Sequence, residues 1–228
     1  MDDNENDQGA GDWVFSAFLR FSFGVIRRMR LVRNIAVLLP LGLLLTACAS
    51  TRVTTDGDAA VFCQPQASTQ SVLLLWHTDW RADQKEVALR EGMAEWAIAQ
   101  FFRQSSCYGA VTVQRSLDGK PASSLSDQQV LHLVTGAVPA YDKVVRLVVQ
   151  ELGPVLVLSG STTLVQGGTE VMLRSSLLDT KTSAVEADAH THWQNGGAYV
   201  VKGTWTLEQD MRSALAVLYA PVTAARGE

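Results

Sequence analysis

The feature that most limits what this chain can fold into is the order of residue types between Arg30 and Cys48. Arg30 and Arg33 precede eleven apolar or small residues, Ile35 to Leu45, and then come Thr46, Ala47 and Cys48. Spanning a bilayer takes about 20 apolar residues, so this run is too short to cross. A charged start, an apolar middle and small residues at the end mark a processing segment, which takes no part in the fold. The folding problem thereby shrinks to the 181 residues that begin at Cys48.

Leu45-Thr46-Ala47-Cys48 resembles the lipobox of bacterial lipoproteins, in which the cysteine is acylated and becomes the mature N-terminus. The resemblance implies a signal peptide over 29–47, palmitate-type chains on Cys48 and a permanent membrane anchor. Ala49 replaces the Asp that resembles an inner-membrane retention signal, so the resemblance favours the periplasmic face of the outer membrane. The plain alternative is a lone buried cysteine behind a signal anchor. Residues 1–28 carry Asp2, Asp3, Glu5 and Asp7 where basic residues belong, so Met29 is the expected start and 1–28 an extension.

One domain over 71–220 is expected, with 48–70 as a polar tether and 221–228 as a tail. Fourteen Lys and Arg against eighteen Asp and Glu follow residue 47, so the basic footprint of a nucleic-acid binder is missing. Cys63 and Cys107 remain as a pair for an oxidising compartment. A strand over Val72–Trp80 runs about 30 Å and a helix over Gln84–Gln104 returns about as far, which brings Cys107 back towards Cys63. Two unpaired buried thiols are the alternative.

Ser71 to Trp76 is a continuous apolar run of strand length. Asp83 and Glu86 are placed as a capping box for a helix with Leu89, Met93, Ala97 and Phe101 on its apolar face. Ala110–Leu117 reads as a strand, Asp118–Ser124 as a loop, and Ser126 with Gln129 as the cap of a short helix. Lys143–Leu152 is the most β-prone run, and Gly153-Pro154 signals a bulge or an edge before Val155–Leu158. Thr169–Asp179 and Ala184–Trp193 form a hairpin. Leu207, Met211, Ala214, Leu215 and Leu218 stripe a final helix behind Thr204 or Thr206. The expected fold is α/β (α+β): a mixed sheet of about five strands under two long helices and one short one, ordered β-α-β-α-β-β-β-α.

This order, with Asp142 to Glu151 entering a hairpin, resembles the small α/β domain of curli-secretion and Pel-type lipoproteins, penicillin-binding-protein activators and the auxiliary lipoproteins of lipid-transport ABC systems. The resemblance covers about Val72 to Leu218 and implies a non-enzymatic accessory or assembly subunit of an envelope machine. Its partners would be an envelope complex or further copies of itself.

Glu186, Asp188, His190 and His192 alternate along one strand, so one face could hold a metal ion, or could simply be the solvated face above Ala187, Ala189, Thr191 and Trp193. That pattern is the only support for a metal-dependent hydrolase. His77 and Asp79 end the first strand, and Gly-x-Ser-x-Gly is absent. Gly160–Gly168 lacks a phosphate-loop ending and reads as a hairpin loop. Trp193, Asn195 and Tyr199 bracket a flexible turn suited to contact with a partner, or tuck into the core. No cofactor is expected. A carrier of a small apolar ligand or lipid is the rival reading, and it needs a cavity between sheet and helices.

Overall fold

The computed structural model describes residues 49–136, 140–158 and 165–220. Residues 1–48, 137–139, 159–164 and 221–228 lie outside the described residues, and with them the expected signal peptide, Cys48, the first part of the expected Gly160–Gly168 loop and the expected tail.

The strands are β1 (Ser50–Gly57), β2 (Ser71–Thr78), β3 (Ala110–Gln114), β4 (Ser116–Leu117), β5 (Lys120–Pro121), β6 (Lys143–Leu158), β7 (Val165–Asp179) and β8 (Ala184–Ala198). The helices are α1 (Val87–Gln104), α2 (Asp127–Val134) and α3 (Leu207–Leu218). Six strands form one mixed sheet in the order β1-β8-β7-β6-β2-β3, one more than expected, and β4-β5 is a separate small hairpin. β2 runs parallel to β3 and β6, and the β6-β7-β8-β1 ribbon is antiparallel. β2, buried on both sides from Val72 to Trp76, is the centre about which the helices are laid.

One face of the sheet carries Val72, Leu74, Trp76, Val145, Leu147, Leu173 and Trp193 against α1 and α3. The other packs Leu73, Leu75, Val144 and Leu178 against α2. Ser126 caps α2 through the Gln129 amide, and Gln129 returns a bond to the Ser126 amide, as the sequence predicts. All five stripe residues of α3 are buried. Tyr219, just past α3, stacks edge-on with Phe62 and Phe102 and shares a 2.8 Å hydrogen bond with Ser175.

Two expectations are corrected and a third is narrowed. The expected tether 48–70 is ordered from Ser50 on: Ser50–Gly57 is an edge strand on β8, two 3-10 turns follow, and Phe62, Cys63 and Ala67 are buried. β1 is exposed along nearly its whole length, so it has no apolar side to announce it, and its partner lies some 140 residues away. The first long helix starts at Val87, with Glu86 in a left-handed conformation and no capping box. Arg81 and Gln84 instead bind Glu151, at 2.9 and 3.0 Å, and the same buried carboxylate meets Arg90 at 3.3 Å. That ion cluster turns the helix so that Arg90 is buried and Leu89 is exposed. At Gly153-Pro154 the edge holds of the two alternatives: β6 runs on to Leu158, and its bulge lies earlier, between Val149 and Glu151. Pro154 is tolerated because β2 ends opposite Val149, so this part of β6 is an edge with no ladder bond to lose on that side.

The disulfide pairing is present. Cys63 and Cys107 are bonded, with Cα atoms 5.1 Å apart, and tie the segment after β1 to the end of α1.

Candidate contact surface and cavity

Trp193, expected as a contact residue, is corrected to a core residue: it is only 3% exposed. It shares the parity of Ala187, Ala189 and Thr191, all turned towards the helices. Asn195 donates to the Thr51 hydroxyl at 3.2 Å and so joins β8 to β1. Tyr199 follows the strand at φ 60°, and its side chain is exposed.

Asp188, His190 and His192 do share the opposite face, but each is engaged separately. His190 meets Gln150 at 3.0 Å, and His192 meets Glu170 at 2.5 Å. Asp188 accepts from Ser176 at 2.8 Å and from Arg174 at 3.3 Å. Glu186 is separated from them, because a bulge opposite Leu177 and Leu178 leaves it out of the ladder and it pairs with Lys143 at 2.5 Å. Among the described residues no three His, Cys, Asp or Glu side chains gather as a metal site. His77 is held below its ordinary pKa, first by burial and then by the charge of Arg146, and Asp79 beside it is exposed at the strand end.

Two concavities lie towards opposite ends of the long strands. At the end where β1 begins, a cleft of about 260 Å³ is walled by Arg52, Glu170, Gln194 and Asn195. Its floor is bare backbone, Gly167 and Gly168 facing Gly197 and Gly196 across the ladder. A β-carbon on Gly168 would collide with the backbone of Asn195 and Gly196, so only glycine fits there. Leu156, Tyr199, Val201 and Trp205 stand exposed around the same end.

Towards the other end a cavity of about 390 Å³ is lined by Phe62, Ala67, Tyr108, Lys143, Leu177 and Glu186. Lys143 is paired with both Asp179 and Glu186. Burial alone would depress the lysine, but its bonds to the two carboxylates outweigh that and raise its pKa. Asp179 is driven well below the usual carboxylate range, chiefly by the Lys143 hydrogen bond, with the Thr182 amide and hydroxyl adding to it. The Tyr108 hydroxyl is buried and has no hydrogen-bond partner among the described residues, and burial keeps it neutral throughout the physiological range. Neither Lys143 nor Tyr108 is marked by a motif. A lysine opening a strongly apolar strand was the available signal for the first.

No protein-family model matches the chain, and no curated protein matches it. Solved structures similar to it include the PelC dodecamer from Paraburkholderia phytofirmans, with 14% identity over 76% of this chain and 99% of that one, TM-score 0.39. A lipoprotein from Neisseria meningitidis is also similar, with 14% identity over 65% of this chain and 97% of that one, TM-score 0.37. So is a putative neuraminyllactose-binding hemagglutinin homolog from Helicobacter pylori, with 14% identity over 69% of this chain and 80% of that one, TM-score 0.34. At this distance the likenesses carry no functional argument.

Proposed function

We propose that this chain is a lipoprotein of the bacterial outer membrane, facing the periplasm and fixed through acylated Cys48, which serves as a non-enzymatic accessory or assembly subunit of an envelope machine. The carrying observation is where β1 begins. Ser50 is already in the sheet, so a lipobox cysteine two residues earlier would join the lipid directly to a folded, disulfide-closed body. Among the described residues no helix is long and apolar enough to cross a membrane. The two outermost strands, β1 and β3, are open edges that an envelope protein or a second copy could extend.

The test is a palmitate analogue fed to cells that make the full chain, with a photocrosslinking residue at the exposed Thr112 of β3. Label on the wild type that is lost in Cys48→Ala, together with a discrete crosslink to one envelope protein or to a second copy, supports the reading. No label, or label with no crosslink from β3 or from an equivalent position on β1, defeats it.

The cavity around Tyr108 favours a second reading, a carrier of a small, largely apolar ligand with one hydrogen-bond acceptor for that hydroxyl. Co-purified ligand in native mass spectrometry, released by Phe62→Trp, supports it.

A further inference from the structure

We infer that the end of the sheet bearing Leu156, Tyr199, Val201 and Trp205 rests on the same bilayer that holds the chain, with these four side chains entering its headgroup region. The inference builds on acylation of Cys48 and adds an orientation to it.

Among the described residues these are the most exposed large apolar side chains, at 59, 63, 75 and 77%. Single exposed apolar residues are ordinary on a soluble protein, but a group of them is not. The ladder places them together. Leu156 lies opposite Gly167, Gly167 lies opposite Gly197, and Tyr199 follows two residues later. The Leu156 methyl and the Val200 carbonyl both crowd the space over Gly167, so the segment leading to Val201 crosses the sheet beside Leu156. The Trp205 ring folds over Gly203, and its neighbour Thr206 reaches Thr169 at 3.4 Å. Tryptophan and tyrosine, with an apolar body and one polar atom, are the residues that favour a membrane interface.

The anchor reaches this end and no other. Ser50 pairs with Gly196, Gly196 with Gly168, and Gly168 with Val155, in one row across four strands. At about 4.8 Å per strand the row is roughly 14 Å wide. Cys48 is two residues before Ser50 in the sequence, and two residues of chain reach at most about 7 Å, so a lipid on that cysteine is tethered close to the row. A body tied this closely cannot turn its opposite end to the lipid. Arg52, on the rim of the cleft, adds a cation towards anionic headgroups.

The test uses the full lipoprotein, purified from membranes and reconstituted in vesicles of phosphatidylethanolamine and phosphatidylglycerol. With Cys63 and Cys107 bonded and Cys48 acylated, one introduced thiol is the only labelling site. A fluorophore is placed in Trp205→Cys and Val201→Cys, and in Val185→Cys near the start of β8. Strong quenching by nitroxide lipids and weak quenching by aqueous iodide at 205 and 201, with the reverse at 185, supports the inference. Equal iodide quenching at all three positions of an acylated protein overturns it and leaves the anchor standing. Protection from iodide without quenching by nitroxide lipid means that a protein surface covers the patch, and also overturns it. An intact mass without acyl chains removes the anchor and the orientation with it.

Discussion

Replacing Lys143 by Met tests how the cavity end is held together. Lys143 is 9% and Asp179 8% exposed, so the variant leaves a buried carboxylate without its cation. Breaking a buried pair in this way costs roughly 3–5 kcal/mol. Asp179 keeps its bonds from the amides of Lys181 and Thr182, at 2.8 and 2.6 Å, and Glu186 can turn to water. The lower end, about 3 kcal/mol, is therefore expected, which for a body of this size is a fall in Tm of roughly 6–12 °C. The pH dependence is more specific. Because the folded pKa of Asp179 lies below its ordinary 3.8, its stabilisation is complete above that value and declines as pH falls towards the folded one. The deficit of the variant should therefore shrink by about 1.4 kcal/mol per pH unit below roughly pH 3.9. On the alkaline side Lys143 is raised, so its contribution is complete below 10.5 and is lost only as pH rises through the higher folded value. Denaturant titrations of both proteins at pH 7 and pH 3 read this directly. A deficit under about 1 kcal/mol at pH 7, or one that is unchanged at pH 3, refutes the argument. Adding Asp179→Asn to the variant should return part of the loss, because the uncompensated charge is removed.

Trp193→Ala should cost about 3–5 kcal/mol because it hollows the core, whereas Tyr199→Ala should change stability by less than about 0.5 kcal/mol; thermal melts separate the two. Reducing the Cys63–Cys107 bond opens a loop with a sequence separation of 44 and should cost about 4 kcal/mol on the chain-entropy model, seen as a lower Tm with reductant. Ser126→Ala should cost about 1 kcal/mol through loss of the α2 cap, measured by denaturant titration. Protein prepared without a histidine tag should carry no stoichiometric zinc by elemental analysis, and His190→Ala with His192→Ala should leave its metal content unchanged.

What could be read from the sequence was the part governed by local chemistry. The apolar run of β2, the β-branched run of β6, the stripe of α3 and the Ser126–Gln129 box each state their structure within a few residues. The features that could not be read depend on distant partners. β1 is exposed almost throughout and is defined only by pairing with β8. The start of α1 is moved by Glu151, over sixty residues away. Glu186 leaves its expected face because of a bulge that only the β7 partner reveals. The β4-β5 hairpin carries a local signal as well: Asp118-Gly119, both at positive φ, makes a tight turn inside the stretch Asp118–Ser124 expected as a loop. At the contact surface, strand parity decides that Trp193 goes in, while Tyr199 lies beyond the strand and is freed from the alternation.

The proposed function depends on acylation of the sulfur at position 48. Intact-mass analysis of the protein extracted from membranes weighs that claim directly. A chain starting at Cys48 and heavier by several acyl groups is the predicted result. A chain that still carries residues before 48, or that begins later and has no lipid, contradicts it.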